Sequence, residues 1–264
     1  MTQHVPVLLY HSIGTSGHDG LAPWEVSPDV FAGHLRYLDA HDYTVLPLAT
    51  FARGLRAERS SLPPRPVVIT FDDGYANFTT AASLLVSAGV PATLFVPTAA
   101  VGGTSSWLPG PAGDEPLLSW SAIADLDAAG IEIGAHARHH VALDELSRAT
   151  IQEEVQCSKR DLEEQLGHEV TGFAYPFGYS DGRVRRAVAG AGYGYACAVK
   201  DSLSGPNDDR YALARLFVPP EPDLVRFGRV LEHGTRRYRK RERAITKAWR
   251  TWRRARRLTS STSR

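Results

Sequence analysis

The chain has 264 residues, 43% of them hydrophobic, which is enough apolar material for one large α/β domain, alone or with an appendage, and excludes disorder throughout. Its two cysteines, Cys157 and Cys197, show no CxxC spacing and point to neither a disulfide framework nor a thiolate metal site. The net charge of +1 conceals an asymmetry, because residues 234–264 carry 13 Lys and Arg against the single acid Glu242, leaving an acidic body with 17 bases and 28 acids.

The first strand candidate is the apolar run Val5 to Tyr10, which ends at His11 and is followed by a Gly-rich stretch through Gly20. Ser27-Pro28-Asp29 reads as an N-cap with proline in the first turn, and Phe31, Leu35 and Leu38 follow at helical spacing. Pro66 to Phe71 is a second buried-strand run, stopped by Asp72-Asp73-Gly74. A helix over Ala81–Ala88 ends at Gly89 before the strand Ala92–Val96, and a helix over Ser121–Ala129 ends at Gly130 before Ile131–Gly134. A long helix over Ser147–Leu166, laced with acids and bases four apart, closes at Gly167 before the strand Val170–Tyr175. A helix over Asp181–Ala191, strands Tyr195–Val199 and Ala214–Val218, and a helix over Pro222–Leu231 complete the body. Strands alternating with helices predict an α/β fold with a parallel sheet, a (β/α) barrel or a doubly wound sheet.

The polar residues fall in a telling place. His11, Asp72, Asp73, His136, His140 and the Pro176-Phe177-Gly178 turn each follow a strand candidate, so a parallel barrel would gather them at its C-terminal rim. His136 and His140, with three residues between them, can reach one ion from a helical turn or a tight loop. A carboxylate from Asp72-Asp73 would complete a three-ligand site that keeps a position open for water, the pattern of a catalytic metal centre. Taken alone, Asp-Asp-Gly also fits a solvated turn, and the histidine pair an incidental spacing. The apolar strand that aims the acids at the same rim favours the site, where a metal-bound water beside a free carboxylate would be a nucleophile beside its general base.

Thr70-Phe71-Asp72-Asp73-Gly74, the stretch Gly134 to His140, and Phe173-Ala174-Tyr175-Pro176-Phe177-Gly178 resemble the first three motifs of the polysaccharide deacetylases, the NodB-homology or carbohydrate esterase family 4, over about Val5 to Val218. The opening Val5 to Ile13, with Val26-Ser27-Pro28 and Phe31, resembles the circularly permuted subgroup that deacetylates poly-N-acetylglucosamine. The resemblance implies a distorted parallel (β/α) barrel with Asp73, His136 and His140 on a divalent metal, Asp72 as the base, and the backbone N–H of Phe177 helping to hold the oxyanion. It also implies His11 as the acid that protonates the departing amine. Tyr175, Pro176 and Trp107 are expected to contact substrate, Trp107 by stacking on a sugar or, equally, by pinning the 102–116 loop. Zinc suits this ligand set, although cobalt, nickel or iron would also bind.

Two positions depart from the family pattern. Ala137 stands where the family usually has Ser or Thr, and Ala174 where many members carry an arginine that orients the base; Arg215 is the candidate substitute. The expected function is removal of N-acetyl groups from an N-acetylglucosamine-type glycan or glycoconjugate. The alternatives are an O-acetyl esterase or a hydrolase of another non-peptide C–N bond, and, from another class, an inactive sugar-binding scaffold at the membrane.

The chain divides into a catalytic body, residues 1–233, and a tail, residues 234–264. Over 236–257 the tail is dense in arginine, with Ile245, Trp249 and Trp252 at i, i+4 and i+7 and Tyr238 on the same face. That pattern predicts a basic amphipathic C-terminal helix suited to an anionic membrane surface, or to the acidic body or another protein; no nucleic-acid motif accompanies it. With no signal peptide in view, a cytoplasmic location is expected, with the tail at the inner face of the membrane.

Overall fold

A computed structural model describes residues 4–55 and 62–234. The basic helix expected over 236–257, and with it the membrane contact, lies outside the described residues. Among those described, no helix is long and apolar enough to cross a membrane.

The elements run β1 (Val7–Tyr10), β2 (Ser12–Ile13), β3 (Glu25–Val26), α1 (Pro28–Ala40), β4 (Thr44–Val45), α2 (Leu48–Gly54), β5 (Pro66–Phe71), α3 (Phe78–Ser87), β6 (Thr93–Val96), α4 (Trp120–Ala128), β7 (Glu132–Ala135), α5 (Arg148–Leu166), β8 (Gly172–Ala174), α6 (Gly182–Gly190), β9 (Tyr195–Cys197), β10 (Leu216–Phe217) and α7 (Leu224–His233). The main sheet is wholly parallel in the order β10-β1-β5-β6-β7-β8-β9, with β4 paired to the start of β5. Its two edges meet through one stretch of chain, since Leu213 bridges Cys197 of β9 while Leu216 pairs with Leu8 of β1. The sheet therefore curls into a distorted barrel wrapped by helices, one of the two architectures the alternating pattern allows and the one the family resemblance implies.

Strand alternation sorts the side chains into two cores. Leu8, Ile69, Leu94, Ile133, Phe173 and Ala196 pack outward in the large cluster beneath the helices, while Val7, Val68, Phe95, Ala174, Tyr195 and Cys197 fill the barrel. The small interior makes size matching strict. A Cβ on Gly134 would stand 2.5 Å from the ring of Phe95, so glycine is what lets that ring occupy the interior.

The N-terminal mouth is stoppered by α2, whose Leu48, Phe51 and Ala52 join the interior cluster and whose Ala49 amide donates to Glu132 at the start of β7. Neither β4 nor α2 stands out in the sequence, because a two-residue strand and a seven-residue helix are too short to display a period. With that end filled, only the C-terminal mouth is left for a site.

Outside the barrel, α1 starts as the sequence predicts, with the Ser27 side chain accepting from the Val30 amide at 3.3 Å. It buries His34, whose ring stacks on Phe227 of α7 at 4.0 Å and whose Nδ1 lies 3.1 Å from the Tyr10 hydroxyl. Burial pushes the His34 pKa down to about 4. The unfolded chain, with a histidine near 6.5, then binds the extra proton between those values, so this group costs stability as pH falls through that window. We predict that between pH 6.5 and 4 the wild type loses up to about 3 kcal/mol more unfolding free energy than His34→Gln in urea titrations; parallel losses would show that His34 is not buried neutral.

Candidate metal centre

The Asp72-Asp73-Gly74 turn sits at the C-terminal end of β5. The Asp72 amide still donates to Tyr10 O at 3.0 Å, which prolongs the ladder by one residue and keeps the Asp72 side chain on the inner face with Thr70. Asp73 then adopts φ 74°, a left-handed conformation that Asp tolerates better than most residues, and Gly74 follows at φ 70°. Two adjacent carboxylates thereby take different directions.

Asp72 is locked from below. Arg215, fully buried, reaches it in a bidentate pair, Nη1 to Oδ1 at 2.6 Å and Nη2 to Oδ2 at 2.7 Å, and Nη1 also lies 3.3 Å from Thr70 Oγ1. Burial alone would raise the Asp72 pKa, but Arg215 and His136 outweigh it and hold the carboxyl below its usual range. Asp72 is therefore ionised and cannot rotate freely.

Asp73 faces two imidazoles. Its Oδ1 lies 3.4 Å from His136 Nε2 and 3.2 Å from His140 Nε2, and one ligand atom from each of the three residues falls within 4.8 Å of the others. His136 Nδ1 sits 2.8 Å from Ala174 O. A carbonyl can only accept, so Nδ1 carries the hydrogen, and in the neutral form of the ring Nε2 is the nitrogen left with a lone pair toward Asp73. Asp73 Oδ1 is buried yet accepts no hydrogen bond from a described residue. Two imidazole nitrogens and one carboxylate oxygen converging on one point make the donor set of a divalent cation, and the electrostatics agree. Burial works against charge here, yet Asp73 is held well below its ordinary pKa by His140 and His136, and His136 is raised by Asp72 and Asp73. The pocket favours positive charge.

The two histidines are held by different means. His140 is gripped by rings, with Trp107 stacked on it at 4.4 Å and Phe177 edge-on at 4.6 Å. Trp107 is thus stacked on His140 and packed against its own loop. His11 leaves β1 and packs against Trp24 at 5.0 Å and Phe217 at 6.3 Å. Burial lowers its pKa against the opposing pull of Asp73 and Asp72, whose charges it feels across the rim.

Phe177 adopts φ 59° in the Pro176–Gly178 turn and is 42% exposed. The flanking amides are committed, Gly178 to Tyr175 O and Tyr179 to Pro176 O, while the Phe177 N–H is not among those bonds. Two expected substrate contacts need correction. Tyr175 is fully buried with its hydroxyl donating to Tyr211 O at 2.8 Å, and Pro176 is buried beside it, so neither reaches the surface where a glycan would lie. Sequence reasoning also passed over Tyr75, a buried residue whose hydroxyl is kept protonated by burial and by the Asp73 charge, and Trp24, 41% exposed beside His11. A tyrosine directly after the Asp-Asp-Gly turn was the available signal for Tyr75; no spacing marks Trp24.

Residues 59–196 match the family model described as polysaccharide deacetylase. That stretch includes Asp72, Asp73, His136, His140 and Phe177 but neither His11 nor Arg215. The chain is 24% identical over 213 residues to the poly-beta-1,6-N-acetyl-D-glucosamine N-deacetylase of Staphylococcus epidermidis, covering 77% of this chain and 71% of that protein. Among solved structures it resembles the Streptococcus pyogenes deacetylase PplD in complex with acetate, with TM-score 0.76 and 22% identity over 88% of this chain and 99% of that one. It also resembles IcaB from Ammonifex degensii, with TM-score 0.72 and 22% identity over 82% of this chain and 92% of that one. Both likenesses are of fold.

The buried ion pair sets a stability test. Arg215→Met strands the Asp72 charge inside the barrel and should cost about 3–5 kcal/mol of unfolding free energy, whereas Arg215→Lys, which keeps one charged contact, should cost clearly less. Equal stability of Arg215→Met and wild type in urea titrations would show that the pair is not buried as described.

Proposed function

The chain belongs to the polysaccharide deacetylase family, hydrolases acting on carbon–nitrogen bonds other than peptide bonds, and we propose that it removes N-acetyl groups from an N-acetylglucosamine-type glycan. The observation that carries this reading is the convergence of Asp73, His136 and His140 on one point beside an ionised Asp72. The relative from Staphylococcus epidermidis, named for poly-beta-1,6-N-acetyl-D-glucosamine, makes that linkage the first to try.

Asp73, His136 and His140 would hold the cation. A divalent ion there, zinc first among those the ligands suit, would supply Lewis acidity for the attacking water and the acetyl carbonyl. Asp72 is the base. Arg215 keeps it charged and fixes its plane, and each carboxylate oxygen retains a lone pair to accept a proton from water. As the water oxygen adds to the acetyl carbon, the carbonyl oxygen gains negative charge, and the Phe177 N–H is the backbone donor for it. His11 in its imidazolium form, which burial opposes and the Asp73 and Asp72 charges favour, gives a proton to the sugar nitrogen as the C–N bond breaks, which yields acetate and a free amine. The exposed faces of Trp24 and Phe177 flank the rim where the sugars would lie.

The test is acetate release from β-1,6- and β-1,4-linked N-acetylglucosamine oligomers. Asp72→Asn is expected to lower kcat by about 10²–10⁴-fold, His136→Ala to abolish activity, and chelation to remove activity that added zinc restores. Full activity in both variants would discard the mechanism, and release from O-acetyl esters alone would discard the substrate class.

A further inference from the structure

Helix α5 buries Ile151, Glu154, Val155, Ser158 and Leu162, an i, i+3, i+4, i+7, i+11 stripe in which one position is a carboxylate. A buried glutamate on an apolar face is costly unless it is fully hydrogen-bonded, and Glu154 is. Its Oε2 accepts from the Arg138 amide at 3.1 Å and the His139 amide at 2.8 Å, and its Oε1 meets His139 Nδ1 at 2.7 Å. The carbonyls of the same loop are taken from the other side, Ala137 O by the Thr98 amide at 3.3 Å and Arg138 O by the Ala99 amide at 2.8 Å. Between them lies Ala137 at φ 63°, a left-handed turn that a non-glycine residue keeps only when its surroundings hold it.

We propose that Glu154 is a positioning residue for the metal centre, fixing through the Arg138 and His139 amides where the next residue, His140, presents its Nε2. The proposal rests on the reading of Asp73, His136 and His140 as metal ligands. Apart from Nε2, which faces Asp73 across the proposed cation position, the His140 side chain has no anchor of its own, because its Nδ1 makes no hydrogen bond with a described residue and Trp107 and Phe177 hold the ring only by stacking and edge contact. His136 has its own anchor in Ala174 O and needs no such help. Metal–ligand distances tolerate only about 0.2 Å, so a slack 137–139 loop translates directly into lost affinity.

The experiment measures the zinc Kd by chelator competition on folded wild type, His140→Ala, Glu154→Leu and Glu154→Gln, with folding checked by circular dichroism. Leucine keeps the volume and removes both acceptors; glutamine keeps an acceptor for the two amides and a donor for His139 Nδ1. Glu154→Leu is expected to bind zinc about 10–100-fold more weakly than wild type, and Glu154→Gln within about threefold of it. A purely structural role would lower the unfolding midpoint of Glu154→Leu and leave its zinc Kd unchanged, which overturns the proposal. Equal zinc binding by wild type and His140→Ala instead overturns the metal reading beneath it. Should Glu154→Leu not fold, hydrogen exchange on the wild type decides, since Arg138 and His139 amides exchanging as fast as an open loop would also overturn the proposal, and protected amides support it.

Discussion

The Asp72–Arg215 pair inside the barrel is the interaction on which the rest depends. Both side chains are buried, and taking two charges out of water costs several kcal/mol per ion before any attraction returns it. The pair survives because the geometry is bidentate and Thr70 adds a contact, with Thr70 itself donating to Leu8 O at 2.7 Å. It also ties the interior strand β5, from which Asp72 leaves, to the stretch that joins β9 to β1, from which Arg215 comes. A hydrophobic substitute of the same volume would seal the barrel as well, but it would leave no ionised carboxylate at the mouth. Stability is given up there for chemistry.

Size matching around that pair explains the shape of the interior. Phe95 lies under the guanidinium, 5.6 Å from its carbon, and fills the space that Gly134 leaves open. Tyr195 plays the same part lower down, where a Cβ on Gly172 would stand 2.8 Å from its hydroxyl, and that hydroxyl bonds to Glu132. Large rings opposite glycines, with α2 as the stopper, close the N-terminal end completely. Polar groups are left one opening in which to act.

Much of this was legible in the sequence because it follows from short-range rules. The alternation of strand and helix narrows the fold to a parallel barrel or a doubly wound sheet, the family resemblance implies the barrel, and the position of His11, Asp72, Asp73, His136 and His140 after strands predicts one shared rim without any knowledge of contacts. Contacts across the chain do not follow from such rules. Arg215 is a candidate partner of Asp72 only through the family resemblance, because their meeting depends on two stretches 143 residues apart sharing an inner face, which the periodicity of either cannot reveal. Tyr175 was misread because a strand-end tyrosine before a Pro-Phe-Gly turn looks like a rim residue, whereas the turn carries the chain outward at Phe177 and leaves Tyr175 beneath. Trp107 was open between sugar and loop because its partner, His140, lies on another loop.

On the reading of His136 and His140 as metal ligands, the two imidazoles are built with unequal tolerance. His136 is oriented by a hydrogen bond from its own ring to the backbone of β8, a constraint with a preferred length and direction. His140 is oriented by stacking, which is flat in energy when rings slip past one another, so its placement is delegated to the backbone that carries it. That backbone is short, left-handed at Ala137, and grasped from both sides by Glu154 and by residues 98 and 99. Rigidity therefore reaches the mouth of the barrel from two sources, the sheet for Asp72 and His136 and helix α5 for His140. A site assembled in this way keeps its geometry only while α5 stays packed on the barrel, which makes the outer helical layer part of the chemistry and not merely a cover for the sheet.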